Sequence, residues 1–291
     1  MAVSNQRGES MGERRPEETH EILVFVQNPP DYLSWSKPQK LEYYENVVRW
    51  HEYVSRLMAV GEVTKAWGAE KLPGRVRPIA TKTLLIAIYR TTLTKFSELI
   101  ARDPLWDSAW YQAPILKSIE TDYETDLARY KRQRTRLEEK LGKKLPKAVL
   151  QYKDSIPKIR PGGTIEILVT SGNTPGYLDL SDEERLEEEE KVVQMHDYHR
   201  PLREGGVIVD EWGTYQNCGF GVWAGPNSAK GVYIVRVSSY DEFDDVFISD
   251  PVRNISRVQT VVLVPFQESW QRAEQELRAA RERFGGVSEL S

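Results

Sequence analysis

Two related stretches constrain the fold of this chain more than any other feature. WHEYVSRLMAVGEVTKAWG begins at Trp50 and MHDYHRPLREGGVIVDEWG begins at Met195. Aligned without gaps, they share His51/His196, Tyr53/Tyr198, Leu57/Leu202, Gly61/Gly206, Trp67/Trp212 and Gly68/Gly213. Chance would give roughly one identity over such a length at ordinary residue frequencies. The same offset pairs E-I-L-V from Glu21 with E-I-L-V from Glu166, and Asn28 with Asn173. With the offset two residues larger, Phe96 meets Phe243, Asp103 meets Asp250 and Pro104 meets Pro251. A small loop insertion accounts for the change of step, because surface loops tolerate it. Three windows in register point to a duplication.

Each copy reads as β-α-β-β-α-β. EILVFVQ from Glu21 is a short apolar run with β-branched residues, hence a strand. Ser36 and Gln39 form a helix start, with Leu41, Tyr44, Val48, His51, Ser55 and Met58 at helical spacing and Gly61 as the stop. VTKAWGA and TLLIAIYR are strands separated by a Pro/Gly-rich loop. A short helix spans Thr92 to Ala101, and a last strand runs near Ala113 to Ile119. In the second copy, Ser181 with Glu184 and Ser239 with Glu242 read as capping boxes, and Pro201 is expected to kink or shorten the long helix. A βαββαβ unit is ferredoxin-like, with both helices on one sheet face. The bare face must be buried, and two copies in one chain can cover each other. The expected fold is therefore α+β: two tandem ferredoxin-like repeats packed sheet to sheet as an intrachain pseudo-dimeric α+β barrel. The expected divisions are a tail over 1–19, repeat 1 over 20–122, a charged helical linker broken at Pro146 over 123–162, repeat 2 over 163–268, and a C-terminal helix and tail over 269–291.

Composition limits the functions open to such a fold. The 291 residues are 40% hydrophobic and 29% charged, as in a soluble globular protein. A net charge of -4, with both signs interspersed, offers no basic field for phosphates, so nucleic acid is not an expected partner. Cys218 is the only cysteine, which excludes an intrachain disulfide and suits a reducing cytoplasm. No signal-peptide apolar segment is found near the N-terminus, and no apolar run approaches the ~18 residues needed to span a membrane.

The helix His with a Gly-terminated turn and strand (His51 to Gly68, His196 to Gly213), and the Asp-Pro after the small helix (Asp103-Pro104, Asp250-Pro251), resemble the dimeric α+β barrel superfamily. The helix His and the Asp-Pro are similar to YCII-like proteins, and the Trp ending the second strand is similar to muconolactone isomerase-like proteins. The resemblance covers about residues 20–122 and 163–268. It implies a small-molecule site, and its branches include isomerases, lyases, monooxygenases and proteins of no known activity. A tandem fusion departs from single-copy members and implies a pseudo-dimer within one chain, with further homo-oligomers open.

Histidine suits proton transfer near neutral pH, and a carboxylate can orient it. The expected catalytic pairs are His51 with Asp103 and His196 with Asp250. The plain alternative is a core histidine on an apolar helix stripe and an Asp that only caps a turn. Trp67, Trp212, Tyr53, Tyr198 and His199 are candidate substrate-binding residues, although Tyr and His two apart on a helix face different ways. The tryptophans and tyrosines could equally be packing residues. His196 and His199 form H-x-x-H, which can share a metal, but no third ligand stands at a recognisable spacing, so no metal site is expected. The glycines from Gly219 to Gly231 do not match a phosphate-binding fingerprint. The expected function is a cofactor-independent isomerase or lyase acting by proton transfer on a small cyclic or aromatic-derived metabolite. The alternatives are a scaffold using the duplicated barrel, and a cofactorless monooxygenase.

Overall fold

A computed structural model of the protein describes residues 17–72, 84–145, 162–172, 179–214, 229–254 and 257–285. The Pro/Gly-rich loop expected after the second strand, Pro146, Asn173, Cys218 and the stretch from Gly219 to Ser228 lie outside the described residues.

The first half runs β1 (His20–Gln27), α1 (Lys37–Ala59), β2 (Val63–Lys71), β3 (Leu84–Thr91), α2 (Leu93–Ala101), β4 (Trp110–Gln112), β5 (Ile115–Ser118) and α3 (Ile119–Leu141). The second runs β6 (Ile165–Gly172), α4 (Asp182–Glu204), β7 (Ile208–Thr214), β8 (Ala229–Val237), α5 (Tyr240–Ser249), β9 (Arg257–Pro265) and α6 (Phe266–Gly285). The fold is mixed α+β, with six α-helices and one antiparallel sheet among the described residues.

Local chemistry sets the helix ends. Gln39 Oε1 accepts from Ser36 N–H at 2.9 Å, and Glu184 Oε2 accepts from Ser181 N–H at 2.8 Å, so both capping boxes form. Ser239 caps α5, but Glu242 reaches back to Ser238 N–H instead. Helix α4 does not end at Pro201; it continues to Glu204, and the Pro201 carbonyl accepts from Gly205 N–H at 2.9 Å. The expected last strand of the first half is split into β4 and β5, both paired with β1.

The pairings close a ring: β1 joins β3, β3 joins β2, β2 joins β9, β9 joins β6, β6 joins β8, β8 joins β7, β7 joins β5, and β5 returns to β1. The two halves therefore share strand edges, with Trp67 opposite Pro265 in one seam and Ser118 opposite Trp212 in the other. Closure of this kind leaves neither half with a long unpaired edge. Alternation along each strand sorts the core. Leu23 and Phe25 of β1 turn inward with Ile86, Leu168, Ile234 and Leu263, and fill the lumen. Ile22, Val24 and Val26 turn outward under α1 and α2, while Ile167 and Val169 do the same in the second half.

Helices α3 and α6 are integral to the fold and cross between the halves. α3 follows the last strand of the first half but packs on α4 and β7; α6 follows the last strand of the second half but packs on α1 and β2. They occupy like places. Ser269 of α6 abuts Gly68 and Asp122 of α3 abuts Gly213, so closely that an added Cβ would stand 2.3 Å from Ser269 Oγ or 2.1 Å from Asp122 Cγ. The shared W-G pair of the two stretches thus marks where a crossing helix meets a strand. The expected α1 stripe also shifts: the buried set is Tyr43, Val47, Trp50, His51, Val54 and Leu57, while Met58 is exposed. The α1 pattern was blurred because that helix buries two sides, one on the sheet and one under α6.

Candidate functional site

Each predicted site residue has a definite place. His51 is fully buried, with Nδ1 2.9 Å from the Val47 carbonyl and Nε2 3.1 Å from Ser269 Oγ. A carbonyl can only accept, so Nδ1 carries the proton and Nε2 accepts from the Ser269 hydroxyl. Burial pushes this imidazole down to about 4, against the opposing Val47 bond, so it is neutral. Trp270 stacks on it with ring centroids 6.1 Å apart. The expected pairing with Asp103 is not made, because both ring nitrogens are bonded elsewhere.

Asp103 caps its own turn, accepting from Leu105 N–H at 2.8 Å. Burial pushes its carboxyl up to about 6, opposed by Leu105 N–H and by the Tyr111 and Trp50 groups beside it. The sign is that of an acid that binds its proton more tightly when folded: stability falls as pH rises from about 4 through about 6. Asp103→Asn keeps the bond from Leu105 and removes the buried charge. It should raise stability at pH 8 by about 1–3 kcal/mol, with little gain at pH 3.5, as read by urea denaturation at the two pH values.

Tyr53 and Tyr198 act as matched clamps. Tyr53 O–H donates to the Leu99 carbonyl at 2.7 Å and Tyr198 O–H to the Val246 carbonyl at 2.7 Å, tying each long helix to the short one. Trp67 and Trp212 pack partly buried against the lumen cluster. Lys65 Nζ lies 5.8 Å from the Trp212 ring centroid and 2.6 Å from Asp210.

Asp250 pairs with His199 instead of His196. His199 Nε2 lies 2.8 Å from Asp250 Oδ2, and His199 Nδ1 lies 2.6 Å from Glu211 Oε1. Tyr233 O–H donates to the same Asp250 oxygen at 2.6 Å, and Arg203 pairs with Glu211 Oε2. His199 and Asp250 are almost completely buried. Burial alone would lower the imidazole; the charges of Asp250 and Glu211 outweigh it and push it up to about 10. Glu211 is lowered in turn: burial opposes, but His199 and Arg203 prevail. The result is a charge-balanced array, Arg203–Glu211–His199–Asp250, closed by Tyr233. His199 has Val54 at the matching position and Glu211 has Ala66, so the first half has no such array. The H-x-x-H pair is not a joint metal site, since both nitrogens of His199 are taken by carboxylates.

His196 Nε2 instead meets Asp126 Oδ2 of α3 at 3.2 Å, and Tyr123 lies edge-on with centroids 5.3 Å apart. Asp122 stands one turn before Asp126, paired with Lys117, and its carboxyl is pushed up to about 6 by burial and the charge of Asp126, against the pull of Lys117. None of these α3 residues was singled out by sequence, because the helix reads there as a charged linker.

Two clefts lie beside these groups. One, about 100 Å³, is lined by His51, Gly68, Glu70, Ser269 and Arg272. The other, about 540 Å³, opens between β5, the start of α3, and β7, with Lys117, Thr121, Glu211 and Trp212 in its wall. Glu211 therefore lines a cleft while holding His199. No described helix is long and apolar enough to cross a membrane.

No family model and no curated protein matches the chain. Among solved structures, the chain is similar to chlorite dismutases. A tryptophan-to-phenylalanine variant of chlorite dismutase from Candidatus Nitrospira defluvii, in complex with cyanide, aligns over 89% of this chain and 96% of its own, with 10% identity and a TM-score of 0.42. An arginine-to-alanine variant aligns over 89% and 96%, with 10% identity and a TM-score of 0.43. This corrects the expected likeness to YCII-like and muconolactone isomerase-like proteins, since the structures found are chlorite dismutases.

Proposed function

We propose that the protein is a small-molecule enzyme whose site is the cleft between β5, α3 and β7, and whose chemistry is proton transfer. One observation carries the reading: Glu211 lines the cleft and bridges His199 to Arg203 within the buried array. Its Oε1 is held by His199 and its Oε2 by the part-exposed Arg203. Glu211 therefore accepts a proton from a bound substrate once Arg203 swings away from Oε2, and otherwise acts as a fixed negative charge facing a positive centre that forms there. Trp212 supplies an aromatic wall. Glu18, Glu21 and Glu120 also line the cleft, which favours a substrate bearing a positive group. His199 and Asp250 are positioning residues here, because they act through Glu211. Isomerisation follows if the proton is returned at another atom, and elimination follows if a group departs. In this reading the acid/base work belongs to the second half alone, and His51 and Asp103 support the fold of the first.

Two organisational proposals accompany it. The halves arose by duplication and act as a pseudo-dimer within one chain. The repeat unit ends with the crossing helix, so the boundaries near 122 and 268 move to the ends of α3 and α6. The matched places of Asp122 and Ser269 support this.

The test is native mass spectrometry of the protein incubated with a metabolite extract, comparing wild type, Trp212→Ala and Glu211→Gln. A small molecule consumed by wild type is expected to be bound but not turned over by Glu211→Gln, and bound at least about tenfold more weakly by Trp212→Ala. Equal turnover by wild type and Glu211→Gln would remove the assignment.

A further inference from the structure

The Asp122/Asp126/His196 cluster takes no part in the proposed cleft chemistry, and its polar groups are incompletely satisfied. Asp122 and Asp126 are one helical turn apart on α3 and so share a face. His196 reaches them from α4. All three are almost fully buried, at 3%, 4% and 2% exposure. One donor atom from each lies within 4.8 Å of those of the other two. Asp122 Oδ2 and His196 Nδ1 have no hydrogen-bond partner among the described residues. A buried carboxylate oxygen left unsatisfied costs free energy that native interiors rarely accept.

We propose that Asp122, Asp126 and His196 bind a divalent transition-metal ion. The orphan oxygen of Asp122, one oxygen of Asp126 and a ring nitrogen of His196 would be its protein ligands. The remaining oxygens are already taken: Lys117 pairs with Asp122 Oδ1, and Arg129 lies 3.1 Å from Asp126 Oδ1. Such outer contacts orient ligating carboxylates. Donor atoms around a small ion stand about 3–4 Å apart at metal–ligand distances near 2.1 Å, so binding requires only a slight contraction of the cluster. One imidazole with two carboxylates suits zinc, manganese, iron(II) or cobalt(II), whereas magnesium and calcium prefer oxygen alone.

The first half offers an internal comparison. Where the second half has His196 against Asp122 and Asp126, the first has His51 against Ser269, with Ala273 one turn later on the same helix. There the histidine has both nitrogens satisfied and bonds no acid among the described residues, so it does not form the ligand set. Gly213 leaves room for the Asp122 carboxylate, which lies where any side chain on that strand position would stand.

Cobalt(II) and zinc(II) would be added separately to tag-free, chelator-stripped protein, with binding followed by calorimetry, by the visible spectrum of cobalt, and by thermal unfolding. Wild type and His51→Asn are expected to take up one equivalent of metal and to unfold at higher temperature with it. His196→Gln and Asp126→Asn should bind at least about 100-fold more weakly. Asp122→Asn, which preserves shape, should keep its metal-free unfolding temperature within a few degrees and lose most of the metal-induced rise. No stoichiometric uptake by wild type, or wild-type affinity in Asp122→Asn or His196→Gln, would overturn the proposal. Metal binding is read without substrate, so its failure and that of the cleft assignment are independent.

Discussion

Asp250→Ala should destabilise the protein by about 3–5 kcal/mol, because it breaks a buried ion pair and strands one member. His199 would then lose its Nε2 acceptor, and Tyr233 would lose the acceptor 2.6 Å from its hydroxyl. Glu211 would remain, but it is already shared with Arg203. The same array predicts the shape of the stability–pH curve. His199 has a folded pKa raised to about 10 from an ordinary value of 6.5, so its contribution is complete below about pH 6.5 and is lost as pH rises through about 10. Glu211 is shifted the other way, so its contribution is complete above its ordinary value of 4.5 and is lost as pH falls through the depressed one. The array is therefore worth most between about pH 4.5 and 6.5. Urea unfolding from pH 5 to 10 should show a declining alkaline limb in the wild type and a flatter one in Asp250→Ala. A variant within about 1 kcal/mol of wild type at pH 6 would mean that the array does not exist as described.

Deleting residues 266–291 should leave a chain that does not fold. Phe266, Ala273, Leu277 and Ala280 are buried on α6, and their removal also uncovers Trp50 and His51 of α1, whose rings meet Phe266 and Trp270. Each large apolar side chain returned to water costs about 1.5–3 kcal/mol, and total stability is about 5–15 kcal/mol. Three or four such losses at one place amount to about 4.5–12 kcal/mol, which consumes most or all of that reserve. The His51–Ser269 bond and the Arg281–Glu45 pair, at 2.9 Å, go with the helix. Circular dichroism and size exclusion of the truncated chain would check this. A soluble, cooperatively unfolding product would show that α6 is an appendage and that the repeat ends at β9.

The residues that could be read without a structure are those whose signal is local. Ser36 with Gln39 and Ser181 with Glu184 announced their helices because a capping box needs only four neighbouring residues. The strands β1, β6 and β8 were legible as β-branched runs, and the matched windows placed them in two halves. His199 and Asp250 were both named, but in different roles and with different partners. Fifty-one residues separate them, and no periodicity reports which of two histidines one turn apart will face a distant carboxylate. Asp122 and Asp126 were missed for a related reason. A helix rich in Lys, Arg and Glu looks solvated throughout until it is known that α3 lies on α4 and buries one face. The α1 stripe was misplaced by the mirror-image effect, since α6 conceals a side that an isolated repeat would expose.

The sequence alone determined the order of strands and helices in the matched windows, because strand and helix periods and end-capping are properties of short windows. Only the tertiary structure decided that the halves share strand edges, that their third helices cross over, and which carboxylate meets which histidine. Those outcomes depend on packing and desolvation summed over residues far apart in the chain. The two halves carry nearly the same local pattern but diverge at Val54/His199, Ala66/Glu211 and Ser269/Asp122. Those few exchanges convert an apolar interior into a charged one, and their consequence exists only once the fold has removed water from around them.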